Sequence, residues 1–314
     1  MTDQVFTGRQ VSLLYGVESS WGSSTTPTRD FCLVDSVSIS EKNNLNVVHA
    51  LGSAGPQAIV EGKYEISGSI SGVLQHAEIL EYIIGPATDS GSGPYTHTLT
   101  PANEVSSLTL GVGFGSDGHR IFGVYLTSIT LSLAVGEPAK IKMDWIGQKI
   151  MLNVGSSAAV ISTDEPFSFA MGTIQKDGTD IAFVESAEFT FNRKADAVHD
   201  INTGRVPSAI VTDTWDGEFK LTCKFNNSST NLWPDFLGSS VTPADTLSGV
   251  TITLILDNGR SGTDQRKITI TMTDLKFDTH DPELKVNDYG TVSLSGKFKG
   301  LTVEAVDNTP NWDA

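Results

Sequence analysis

Val34-Asp35-Ser36-Val37-Ser38-Ile39-Ser40 returns 150 positions later as Val184-Glu185-Ser186-Ala187-Glu188-Phe189-Thr190. Both stretches alternate apolar and polar residues with period 2, the pattern of a strand that buries one face. The correspondence continues in order on either side. His49 falls opposite His199 at the same offset, and Pro56-Gln57-Ala58-Ile59-Val60 matches Pro207-Ser208-Ala209-Ile210-Val211 one position further on. Gly62-Lys63-Tyr64-Glu65-Ile66 is set against Gly217-Glu218-Phe219-Lys220-Leu221, and Leu126-Thr127-Ser128-Ile129-Thr130-Leu131 against Met272-Thr273-Asp274-Leu275-Lys276-Phe277. Each half closes on a strand, Ile141/Met143 and Val292/Leu294. Alternating strands resemble one another by chance, so the shared order decides: strand, long loop with a late proline, strand, short helix, hairpin, strand. It predicts an internal duplication over 30–148 and 180–301.

Further alternating runs, among them Ile129-Thr-Leu131-Ser-Leu133, Phe219-Lys-Leu221-Thr-Cys223, Val250-Thr-Ile252-Thr-Leu254 and Ile268-Thr-Ile270-Thr-Met272, read as half-buried strands. Turns such as Lys176-Asp177-Gly178 and Asp257-Asn258-Gly259 make the sheets antiparallel. Two short stretches read as helical: 74–84, with Ile79, Leu80, Ile83 and Ile84 on one face before Gly85-Pro86, and 230–237, where Pro234 requires a first-turn position. The predicted fold class is all-β with minor α, two tandem β-sandwich or half-barrel domains each with one short helix. The expected organisation is an N-terminal arm (1–29), a first domain (30–150), a linker and leading hairpin (151–179), a second domain (180–301) and a C-terminal tail (302–314).

The 314 residues carry a formal net charge of -16, the wrong sign for gripping phosphate backbones. Cys32 and Cys223, far apart and outside any CxxC or Cys/His cluster, read as buried free thiols. No run of 18 apolar residues predicts a membrane span, and the first residues lack the apolar stretch of a secretory leader. Catalytic signatures are missing and the histidines (His49, His76, His97, His119, His199, His280) stand singly, so neither an enzyme nor a cofactor or metal site is expected. Asp213 with Asp216, or Asp278, Asp281 and Glu283, could offer oxygen ligands to a cation but read as solvated turn residues. The overlapping sequons at Asn226-Asn227-Ser228-Ser229 mean little without a secretory route, and the five tryptophans read as core packing.

Between the first two strands of each repeat run long mixed stretches, 41–60 and 192–213. Loops of that length in compact domains are usually functional or ordered by a partner. Leu45, Val47, Val48 and Leu51 would be unusual in a free loop, so an arm that packs on a neighbour is expected.

Gly16-Val17-Glu18-Ser19-Ser20-Trp21-Gly22-Ser23-Ser24-Thr25-Thr26-Pro27, then a strand, a proline-bearing loop, Gly62 before a strand, a Leu/Ile-rich helix ending at Gly85, and Tyr95-Thr96-His97-Thr98-Leu99-Thr100-Pro101 before Ser107-Leu108-Thr109-Leu110, resembles the tail tube proteins of long-tailed, siphovirus-like phages or related tailed viruses. The second half lacks the Gly-x-Glu-Ser opening. The resemblance implies a structural virion protein of the duplicated type, three chains forming a pseudo-sixfold ring, and rings stacking into the tube through which the genome is ejected. It also implies tape-measure, tail-terminator and baseplate or tip proteins as partners, double-stranded DNA in transit without tight binding, and a place in the virion tail after assembly in the host cytoplasm. Head-to-tail contacts that close on themselves leave no exposed sheet edge, and an acidic channel would repel DNA. Leu45, Val47, Val48 and Leu51 are then expected at ring-stacking contacts, helped by 1–29 and 302–314, and Glu65, Asp144, Glu188 and Asp216 in the lumen. The alternative is an extracellular or virion-surface β-sandwich binding module, an adhesin or carbohydrate-binding protein.

Overall fold

The computed structural model describes residues 8, 11–114, 117–154, 162–224, 232–239, 242–284, 286 and 289–312. The sequons at 226–229 lie outside them. The first half runs β1 (Val11–Val17), β2 (Arg29–Asp30), β3 (Leu33–Lys42), β4 (Asn46–Val48), β5 (Ala58–Val60), β6 (Glu65–Val73), α1 (Glu81–Ile84), β7 (Thr88–Gly91), β8 (Tyr95–Leu99), β9 (Leu108–Phe114), β10 (Asp117–Ala134), β11 (Lys140–Gly147) and β12 (Lys149–Met151). The second runs β13 (Gly172–Lys176), β14 (Thr179–Asp180), β15 (Val184–Val198), β16 (Ala209–Lys224), α2 (Trp233–Leu237), β17 (Val250–Asp257), β18 (Lys267–Glu283), β19 (Thr291–Phe298) and β20 (Gly300–Asp307).

One eight-stranded antiparallel sheet, ordered β3–β6–β11–β10–β15–β16–β19–β18, runs through both halves. The halves meet where β10 pairs with β15, from Ser128↔Asn192 to Ala134↔Ser186. Behind it, β2–β1–β9–β10–β12 backs the first half and β14–β13–β17–β18–β20 the second. These two five-strand orders correspond strand for strand, and the second sheet continues past β20 into β8 and β7 of the first half, so the halves join there as well. β10 and β18 each begin in a backing sheet and end in the shared one. Both bend where a residue takes positive φ, Gly123 (62°) and Asp274 (52°). A Cβ on Gly123 would also stand 2.8 Å from Trp21 Nε1.

Register breaks repeat with the fold: Val34/Ser36 and Val184/Ser186 at an offset of 150, Leu126/Ser128 and Phe277/Thr279 at 151. Bulges bend and re-aim a strand, and their coincidence sets the residue equivalences. Ser36 opposite Ser71 corresponds to Ser186 opposite Thr222, so Ile66, not Gly62, is the counterpart of Gly217. That slip is four residues; an even slip keeps every side chain on its own face, so alternation cannot detect it. Leu126 likewise corresponds to Phe277 rather than Met272, because the bulges interrupt the alternation there.

Several boundaries differ from expectation. Residues 11–17 are a strand of the first backing sheet with Leu14 and Tyr15 buried, not part of a free arm. Residues 300–307 are likewise a strand, held between β18 and β8 rather than trailing as a tail. Beyond it, Trp312 is buried against fully buried His97, ring centroids 4.1 Å apart, and His97 stands 2.7 Å from Asp89 Oδ1 and 3.2 Å from Asp307 Oδ1. The first helix starts at 78, as a 3-10 turn over Glu78–Leu80, because Leu74 is bonded to strand-flanking backbone at Ala139 and Phe167. Its four apolar residues are all buried. α2 carries Pro234 in its first turn and stops at Gly238 in the left-handed region.

The core lies between the shared sheet and its backing. Ile66, Ile70, Ile129, Ile141, Met143 and Trp145 meet Leu108, Leu110 and Ile121 in the first half; Phe189, Phe219, Leu221 and Leu294 meet Ile252, Leu254, Ile270 and Val303 in the second. Cys32 and Cys223 are free and buried. Trp233, by contrast with the core role expected, is partly exposed and packs on His280.

Candidate functional site

The face of the shared sheet away from the core is a ruled polar surface. One cross-strand row reads Ser36, Ser71, Lys142, Thr130, Thr190, Glu218, Lys297, Lys276 from edge to edge. Hydroxyls bond across neighbouring strands, Ser36 with Ser71 and Ser38 with Ser69, each at 2.8 Å, and Ser128 Oγ donates to Asn192 Oδ1 at 2.8 Å across the junction of the halves. Glu65, Asp144, Glu188 and Asp216 all stand on this face. They do not make it acidic. Lys42 opposes Glu65, Lys142 lies 3.8 Å from Asp144, and Lys220 reaches Glu188 at 2.9 Å and Glu218 at 3.8 Å. The hydrogen bond that Lys220 donates to the Glu188 carboxylate raises the Lys220 pKa.

The sheet ends on β3 at one side and on residues 276–283 of β18 at the other. An open edge invites pairing with another chain. Asp213 and Asp216 belong to β16, and Asp278, Asp281 and Glu283 to β18; they are strand residues rather than turn residues, on strands that outrun the core. Among the described residues no group of His, Cys, Asp or Glu is placed to hold a metal ion, and no helix is long and apolar enough to cross a membrane.

The two arms are twin hairpins. Arm 1 pairs Asn46↔Val60, Val47↔Ile59 and Val48↔Ala58; arm 2 pairs Asp196↔Val211, Ala197↔Ile210 and Val198↔Ala209. Both loops are closed the same way, Gln57 N–H donating to Val48 O at 2.9 Å and Ser208 N–H to Val198 O at 2.8 Å. Arm 2 is seated on the base of arm 1. Tyr64 N–H donates to Arg205 O at 2.8 Å, Arg205 Nε donates to Gly62 O at 3.2 Å, the Arg205 guanidinium also reaches Asn43 Oδ1, and His199 Nε2 lies 3.2 Å from Tyr64 O. Among the described residues arm 1 has no such seat, and Leu45, Val47, Val48 and Leu51 are all exposed. Sequence reading missed Arg205 and Ile59, although the His49/His199 and Pro56/Pro207 matches already marked the arms as equivalents.

Glu18, from the opening motif, is buried and accepts four bonds: from Ser107 Oγ (2.6 Å) and Gly22 N–H (2.8 Å) on one oxygen, from Thr109 Oγ1 (2.8 Å) and Gly123 N–H (2.9 Å) on the other. It pins β1, β9 and the bend of β10 together, which gives the glutamate of the motif a structural role, and a Cβ on Gly16 would stand 2.9 Å from Thr26 O.

No curated protein matches the chain. A family model described as Phage tail tube protein matches residues 8–233, through the whole first half and across the β10–β15 junction into α2. With most of its length inside that match and the β-rich fold around it, the chain belongs to the phage tail tube protein family, structural components of the virion tail.

Proposed function

We propose that three copies of this chain close into a ring of six similar domains, and that rings stack into the tube through which double-stranded DNA is ejected. The observation that carries this is the β10–β15 junction, a seam between two similar halves that leaves β3 and β18 as its unpaired counterparts. Repeating it between copies, with the same bulge equivalences, sets β18 of one copy against β3 of the next, Thr279 opposite Lys42 and Glu283 opposite Ser38. Each contact is head-to-tail, and a closed ring leaves no edge. Pro282 and its acidic neighbours Asp281 and Glu283 discourage off-register pairing of that edge before assembly.

The polar face then lines the lumen. Its hydroxyl rows and mutually neutralised charges give passing phosphates no net positive wall to bind, so sliding rests on charge balance rather than on the acidic excess expected from composition. The acidic excess lies elsewhere on the molecule. Tape-measure, tail-terminator and baseplate or tip proteins would meet the tube in its bore and at its ends, with assembly in the host cytoplasm.

The test is a cysteine pair across the proposed seam, Asp281→Cys with Ser40→Cys in one chain. Oxidised protein should give closed three-chain species on a non-reducing gel, and negative-stain images should show six-lobed rings and hollow rods. Rings of six whole chains, or discrete particles only, overturn the proposal.

A further inference from the structure

We propose that the uncovered face of arm 1, carrying Pro56 and Ile59, seats in the groove at the base of arm 2 of a second copy, beside Arg193, Asp213 and Trp215. This rests on the tube reading above and adds what holds neighbouring chains together within one ring.

The twin arms supply the first argument. Val48 and Val198 are 46% and 43% exposed, and Leu51 and Ile201 are 105% and 99% exposed, so this side of the hairpin is bare in both arms. The other side differs. Ile210 is 8% exposed in seated arm 2, whereas its counterpart Ile59 is 62% exposed, and Pro207 is buried where Pro56 is not. Matching hairpin registers present corresponding faces, that of arm 1 the more apolar with Val47 where arm 2 has Ala197, so what arm 1 lacks is the body that arm 2 sits on.

The second half carries that body's equivalent. Asn43, Gly62 and Tyr64, which receive arm 2, correspond to Arg193, Asp213 and Trp215 at offsets of 150 and 151. These three residues, with Ala102 and Asn103, line a groove of about 410 Å³. Arg193 is 1% exposed and donates through Nε to Ile83 O (2.8 Å) and through Nη2 to Ile84 O (3.0 Å) and Ala102 O (2.9 Å), but its Nη1 has no partner. A buried guanidinium N–H without an acceptor is costly, and an incoming backbone carbonyl would satisfy it.

Polarity shows which arm fits. Within the chain, arm 2 brings the donor Arg205 to the acceptor Asn43. At the second seat the base is the donor, Arg193, and the arm 1 residue matching Arg205 is Ala54, which offers only its backbone carbonyl and a small side chain. Arm 2 in the Arg193 groove would bring two guanidinium groups to the one carboxylate of Asp213, which disfavours an exchange of arms between the two seats. Ring closure by arm 1 also leaves the Val48/Leu51 and Val198/Ile201 sides free for the next ring.

Two single-cysteine variants, Ala54→Cys and Asp213→Cys, are mixed and oxidised; the native cysteines are buried. A cross-linked dimer that appears only in the mixture, and already in ring-sized species, is expected. Separately, Ile59→Asp should lower the ring fraction more than tenfold with the monomer's circular dichroism unchanged, while Leu51→Asp should leave rings intact and remove rods. Rings of wild-type abundance from Ile59→Asp, or a cross-link confined to rods, overturn this inference and leave the tube reading standing. Wild-type protein that forms neither rings nor rods overturns both.

Discussion

Arm 1 and arm 2 share strand register, loop closure and position between corresponding strands, yet Ile210 is buried where Ile59 is open. Although the loops differ, Arg205 standing where arm 1 has Ala54, the hairpin's strand residues do not explain this, since Val48 matches Val198, Ala58 matches Ala209 and Ile59 matches Ile210. Context does. One arm finds the neighbouring half in its own chain, and the other must find it in another molecule. An exposed apolar patch is therefore informative here because its twin shows both states, covered and bare, in one protein. Surface that stays bare on both arms belongs to a different contact from surface that is bare on only one.

A charge placed at each member of the pair should have very different costs. Ile210→Asp puts a carboxylate into a closed contact and should cost about 3–4 kcal/mol of stability. Ile59→Asp leaves its carboxylate in water and should change stability by less than about 0.5 kcal/mol. Urea unfolding of the two monomeric variants reads the difference directly. Equal costs would mean that arm 1 is already covered in the isolated chain and that the twin argument fails.

A second comparison sets the bends of β10 and β18 side by side. Both halves make the same excursion, but among the described residues only the first anchors it through a buried carboxylate, Glu18, bonded to Gly123 N–H. Glu18→Ala strands the hydroxyl of Ser107 and two backbone N–H groups and leaves Thr109 Oγ1 only Ser23 O at 3.4 Å, with an expected loss of about 3 kcal/mol. Amide exchange should accelerate in β1 and β9 well before β13 and β17, because the second half holds its bend with Asp274 at φ 52° instead. Uniform acceleration over both halves would show that the core, continuous through both halves, unfolds as one unit regardless of where it is weakened.

How far these features could be read in advance depends on the kind of signal each leaves. The alternating strands, the helix residues Ile79, Leu80, Ile83 and Ile84, and the order of the duplication were legible because burial imposes periods of 2 and 3.6. The match of Gly62 with Gly217 was off by four because a repeat of period 2 is blind to even slips, and only the bulges at Val34/Ser36 and Val184/Ser186 set the count. Residues 11–17 read as a flank because β1 buries three consecutive residues and shows no period of 2, whereas 300–307 does alternate, burying Leu301, Val303 and Ala305, and reads as a flank only because it runs past the end of the internal match. The apolar arm residues were visible as a composition anomaly. Which side of the arm is covered was not, since Ile59 and Leu51 are equally apolar and only pairing separates them. Arg193 sends two opposite signals: it continues the inward positions Ala187, Phe189 and Phe191, whereas its charge argues for water, and its burial against three carbonyls is made by residues some 90 to 110 positions away.

The smallest expected effect comes from a pair of equivalents on the polar face. Ser38 and Ser69 share a hydroxyl bond at 2.8 Å, and at the corresponding place in the second half Glu188 accepts from Lys220 at 2.9 Å. A cross-strand pair on an open face is worth roughly 0.2–1 kcal/mol. A double-mutant cycle through Glu188→Ser and Lys220→Ser should return about 0.5 kcal/mol of coupling at low salt, and the same cycle to Ala at Ser38 and Ser69 a similar value. Their responses to conditions should part. The Lys220 pKa lies above its ordinary value, raised by the bond to Glu188, so its contribution is complete below the usual lysine range and disappears as pH rises through the folded-state value. It should also fade in about 1 M salt, where screening reaches only ~3 Å. The serine pair should respond to neither. If the ionic coupling survives high salt undiminished, the face is less open to water than the free chain shows, and the charge balance proposed for the lumen would have to be treated as a set of desolvated pairs, each costing more to break than its surface geometry indicates.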